Sequence, residues 1–118
     1  MLKTIRTKEQ LRDIQRLGVD EIELLGELAD KLKAAQQVAK LGQAGASMLG
    51  NVLGAAVVAG LQKPSEPMMQ KAVEATGASV NSVVASVGLG VGLVLAIFRD
   101  YEEITYEEGR LVLRRRMS

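Results

Sequence analysis

The chain has 118 residues, with 15 lysines and arginines against 14 aspartates and glutamates. A net charge of +1 gives no electrostatic reason to expect a nucleic-acid binder. There is no cysteine and no histidine, which removes disulfides, thiolate and imidazole metal ligands, and the commonest general base and nucleophile.

Taken in chain order, Thr7-Lys-Glu-Gln10 fits a capping box, and Leu11, Ile14 and Leu17 follow at helical spacing. Gly18 is a natural stop for this first helix. Asp20 restarts a helix, with Glu23 three residues on. From there small and apolar residues recur in 3-4 spacing through Leu25, Leu28, Leu32, Ala35, Ala39, Gly42, Ala46, Leu49, Leu53, Ala56 and Gly60. That seam predicts one long helix over about 20–62, packed along another helix. Pro64 and Pro67 end it. A second long helix should begin near Pro67 or Met68 and run through Met69, Val73, Thr76, Val80, Val83, Val87, Gly90, Val94 and Ile97. The short turn at 63–67 implies an antiparallel hairpin.

The tail, "YEEITYEEGRLVLRRR", alternates with period two around Glu108-Gly109. A hairpin turning there sets Tyr106 opposite Leu111 and Ile104 opposite Leu113. It also sets Glu107 opposite Arg110, Glu103 opposite Arg114 and Glu102 opposite Arg115, so one register yields apolar and opposite-charge pairs together. The edges of a lone hairpin offer pairing groups to neighbouring copies. Glu103, Ile104, Tyr106, Glu107, Arg110, Leu111, Leu113 and Arg114 are therefore nominated as an assembly element.

The glycines Gly88, Gly90 and Gly92 raise the question of a phosphate loop. A dinucleotide fingerprint fails at Leu93, the acids from Asp100 onward come too soon, and no Gly-Lys-Ser/Thr follows. With strands expected only in the terminal hairpin, no βαβ unit is available. Small residues do recur every four positions: Gly42, Ala46, Gly50 and Gly54; Ala78, Ser82, Ser86 and Gly90; Gly88, Gly92 and Ala96. Residues four apart share a helix face, so these files read as helix-packing interfaces. Gln43, Ser47 and Asn51 form a polar face on the first helix.

Residues 41–62 and 75–98 carry no charge. As helices of 22 and 24 residues they are about 33–36 Å long, enough for a bilayer core of about 30 Å. Basic residues concentrate in the two tails, which would set both termini on the cytoplasmic side. The layout of 41–98 is similar to rotary-ATPase ring subunits, which are helical hairpins with glycine-rich faces, and to small two-span phage holins. Ion-coupled rotation is not implied, because the carboxylate those rings need in mid-span is missing from both windows.

The fold expected is mainly α: a charged amphipathic region (1–40), a glycine-rich helical hairpin (41–98) and a β-hairpin tail (99–118). The acids Asp13, Asp20, Glu21, Glu23, Glu27 and Asp30 lie beside lysines and arginines at solvated-face spacing. No catalytic, cofactor-binding or metal-binding residue is nominated, and no cofactor is expected. The function read from this is a non-enzymatic, self-associating membrane protein forming a pore, channel or scaffold, of the kind phages use to breach a membrane. Its partners would be itself, the lipid bilayer and other structural proteins, with no specific nucleic acid. The alternative is a soluble structural subunit of a large assembly, such as a viral particle or secretion machine, with the apolar hairpin buried in protein.

Overall fold

The structure, a computed structural model, describes residues 2–54 and 65–116. The first strand, β1 (Leu2–Ile5), leads into α1 (Lys8–Leu17) and then β2 (Glu21–Leu25). Thr7 caps α1 by accepting the Gln10 N–H, and the Gln10 side chain returns to the Thr7 N–H, completing the capping box. Gly18 ends the helix at φ 63°. Four helices or helix pairs follow: α2 (Glu27–Ala39), α3 (Gly42–Leu53), α4 (Glu66–Thr76), and the bent pair α5 (Val80–Leu89) and α6 (Val91–Asp100). Strands β3 (Tyr101–Glu107) and β4 (Arg110–Arg115) close the chain.

The four strands form one sheet in the order β1-β2-β4-β3, parallel between β1 and β2 and antiparallel elsewhere. Alternation sorts the side chains between two faces. Ile5, Ile22, Leu24, Leu111 and Leu113 point inward, where α1, α2, α5 and α6 bury them with Leu11, Ile14, Leu28, Leu32, Leu89, Val94, Ile97 and Phe98. The opposite face carries Thr4, Glu23, Arg110, Glu102 and Arg114. There Arg110 Nε meets Glu23 at 2.7 Å and holds its carboxyl below the usual carboxylate range. A second apolar cluster joins α3 and α4 to the helical layer through Val38, Leu49, Leu53, Ala72, Val83, Val87 and Val91.

The expected long helical hairpin is replaced by this mixed α/β fold. Residues 21–25 form a strand because Glu21-Ile22-Glu23-Leu24 alternates, and β4 supplies the partner. The seam from Leu28 onward breaks at Gly42, whose φ of 62° no α-helix interior accommodates. A 3.6-residue pattern survives such a break, so the seam alone did not reveal it. Ala56 and Gly60, and Lys63 and Pro64 of the expected turn, lie outside the described residues.

The membrane reading is also overturned, and with it the pore, the ring-subunit and holin likenesses, the cytoplasmic placement of the termini and the virion setting. Among the described residues no single helix is long and apolar enough to cross a membrane. The most apolar window instead bends by 95° between α5 and α6. Val83, Val87, Leu89, Val91, Val94, Ile97 and Phe98 from this window are buried inside the chain itself. What had to cover those side chains is a sheet and four helices of the same domain, not lipid.

In the tail, Tyr106 faces Leu111 and Glu107 faces Arg110. A bulge then intervenes between Glu103 and Thr105, leaving Ile104 with no opposite residue and half-exposed. Beyond it the register shifts by one. Arg114 bonds Glu102 at 3.2 Å rather than Glu103, and Glu103 faces Leu113 and bonds Lys33 of α2 at 2.6 Å.

Candidate functional site

The nominated small-residue files have three different fates. The file of Ala78, Ser82 and Ser86 is buried against α2. Ser82 Oγ accepts the Val38 N–H at 3.2 Å, and Ser86 Oγ donates to the Ser82 carbonyl at 2.8 Å. Small side chains here let α5 lie close on α2 while their hydroxyls satisfy buried polar groups.

The file of Gly88, Gly92 and Ala96 is cut by the bend at Gly90, where φ is 101°. Gly88 lies on α5 beside the β1–α1 loop, and its carbonyl accepts from Lys8 Nζ at 3.1 Å. Gly92 and Ala96 lie on α6 and face Gly42 and Ala46 of α3 across an open groove of about 480 Å³. Leu95 and Phe98 contribute its apolar wall, and Gln43 and Arg99 its polar rim. Arg99 is paired with Asp100 at 3.0 Å, which lowers the Asp100 carboxyl from its ordinary value. A methyl group added at Gly50 or Gly92 would meet nothing within 4 Å. Gly54 ends α3 at φ 86° and is exposed.

Gln43, Ser47 and Asn51 are all exposed on α3. Among the described residues they line no lumen, and of the three Gln43 alone borders the groove. Sequence reasoning passed over Gly45. A Cβ there would come 2.6 Å from the Leu41 Cβ and 3.3 Å from the Val38 carbonyl oxygen. Packing requires a glycine here, and Gly45 falls outside every four-residue small file because Leu41 and Leu49 stand four residues to either side of it.

The nominated hairpin residues divide by sheet face. Leu111 and Leu113 are core residues, while Ile104 and Tyr106 remain accessible. The inner edge of the hairpin is paired with β2 of the same chain. Each of the three consecutive arginines has a local contact: Arg114 with Glu102, Arg115 with the Gly18 carbonyl, and Arg116 with the Phe98 carbonyl. Among the described residues no cluster of three or more acidic side chains could hold a metal ion.

A second concavity, about 560 Å³, opens where β1 and β2 deliver the chain into α1 and α2. Arg6, Lys8 and Lys31 surround it, with Glu27, Asp30 and Asn81, over an apolar floor from α2 and α5. Nothing in the sequence pattern drew these residues together, because they meet only once β1 and β2 pair.

The family model described as "Uncharacterised protein PM1101" matches residues 4–115. The chain belongs to that family. The match runs from within β1 to the last residue of β4, so it covers β2, β3, β4 and the described helices. No curated protein and no solved structure matches the chain.

Proposed function

We propose that this chain is a structural subunit that associates with further copies of itself through the groove between α3 and α6. The observation that carries the reading is the facing of Gly42 and Ala46 by Gly92 and Ala96 across open space. Side-chain-free helix surfaces permit close approach of another backbone, which recovers dispersion contacts and weak Cα–H···O bonds. Among the described residues, a Cβ added at Gly42 or Gly92 would meet nothing within 4 Å.

A second copy suits the groove by charge. Both segments bordering it come from the uncharged windows, and the rim cation Arg99 already has its carboxylate. A charged partner would gain no pairing there, whereas the uncharged outer face of α3, with Ser47, Met48 and Asn51, has matching chemistry. The test is the mass of the purified chain by sedimentation equilibrium, for the native sequence and for Ala46→Leu and Gly92→Leu. Discrete oligomers that dissociate in both variants support the reading. A native chain that remains monomeric at high micromolar concentration overturns it.

A further inference from the structure

The cleft at the carboxyl ends of β1 and β2 has a chemistry that the fold does not use. Arg6, Lys8 and Lys31 form no ion pair among the described residues. Lys8 is held at the mouth by its 3.1 Å bond to the Gly88 carbonyl, leaving further N–H donors on the same ammonium. Val84 lines the cleft and is 53% exposed, a large apolar side chain left out of either core cluster. The volume falls in the range of small-molecule sites, and ligands of open α/β sheets favour the crevice beyond the strand carboxyl ends.

We propose that this cleft binds a small amphiphilic monoanion, an apolar body ending in a carboxylate. Three cations against the carboxylates of Glu27 and Asp30 leave one net positive charge around the cleft. That balance suits one negative charge and disfavours a polyphosphate. Asp30 Oδ1 accepts from Gly109 N and Tyr106 Oη at 2.8 Å each, which ties that carboxylate to the hairpin turn. The apolar body lies along Val84 and Leu28, and the head group sits between Arg6, Lys8 and Lys31. This cleft shares no lining residue with the α3–α6 groove, so ligand binding and self-association can fail separately.

The probe is octanoate, titrated into the full ¹⁵N-labelled chain. Saturable amide shifts are expected within 6–8, 27–34 and 81–89. Arg6→Gln with Lys31→Gln, which removes two charged contacts, should weaken binding about a hundredfold, and n-octanol should bind at least about tenfold more weakly than octanoate, since one lost charged contact corresponds to about tenfold. Both arginine and lysine are exposed, and unchanged spectra of the variant without ligand establish that it folds. Three results would overturn the proposal. They are no saturable shift, saturable shifts confined to other residues, and equal affinity for octanol and octanoate. Inorganic phosphate binding the same residues more tightly than octanoate would also overturn it, by removing the apolar body from the recognition.

Discussion

The carboxylate of Asp30 accepts the backbone N–H of Gly109 at 2.8 Å, joining the first turn of α2 to a hairpin turn 79 residues further along the chain. The Gly109 N–H, and then the Tyr106 hydroxyl, hold the Asp30 carboxyl below its ordinary value. A depressed folded-state value means that the charged form contributes stability above the unfolded-state pKa. That contribution is lost as pH falls through the folded-state value. Asp30→Ala should therefore lower the melting temperature at pH 7. The gap to the native chain should narrow as pH is taken below about 4. Thermal unfolding followed by circular dichroism between pH 2 and 7 checks this; a gap independent of pH would contradict it.

Glycine substitutions should separate three roles. Gly45→Ala should destabilise, because the Leu41 Cβ stands 2.6 Å from the new methyl. Gly50→Ala should stabilise by up to about 1 kcal/mol, since the site is helical and open. Gly90→Leu should cost roughly 1–3 kcal/mol through its φ of 101° whatever the assembly state. Urea unfolding of the three variants gives the signs directly.

Those glycines also indicate how far the sequence could be read. The capping box at Thr7 and the stop at Gly18 are local chemistry, complete within a dozen residues, and the structure has both. The turn at Glu108-Gly109 is local too. By contrast, β2 takes its identity from β4, about 90 residues away, and its five residues fit a helical seam as well as an alternation. Beside the bulge at Ile104, Glu103 meets Lys33 of α2, 70 residues away. The cationic cleft needs β1 beside β2 before it exists. In each case the missing information was a distant partner, not an unread local signal.

The serine contact between α5 and α2 should be sensitive to both deletion and enlargement. Ser82→Ala removes the interhelical acceptor that the Val38 N–H has in addition to its place in α2 and should cost about 0.5–1.5 kcal/mol. Ser82→Leu should cost a comparable or larger amount by forcing α5 off α2. Equal stability of all three proteins in guanidinium unfolding would contradict the close packing of this face.

Removing residues 101–118 should abolish the fold rather than blur an assembly. The deletion takes away β3 and β4, and with them Leu111 and Leu113, the inward partners of Leu24 and Ile22. Each buried leucine lost outright is worth roughly 2–5 kcal/mol, so the pair approaches the whole stability of a small domain. The truncated chain should lack amide dispersion in its NMR spectrum and be cleaved rapidly by protease. A dispersed spectrum would contradict this.

The strand order places β2 beside β4, with Glu21 opposite Arg114. Everything from α2 to β3 is a single excursion between two neighbouring strands. During synthesis, Ile22 and Leu24 have β1 beside them early, but their antiparallel partners Leu113 and Leu111 exist only once β4 has left the ribosome. Meanwhile the uncharged segments 41–62 and 75–98 are already outside, without the sheet on which α5 and α6 will pack. Such an order makes the final docking step slow and leaves apolar surface open to off-pathway contacts. Nascent chains stalled before residue 110 should accordingly be strong clients for chaperones that hold exposed apolar segments.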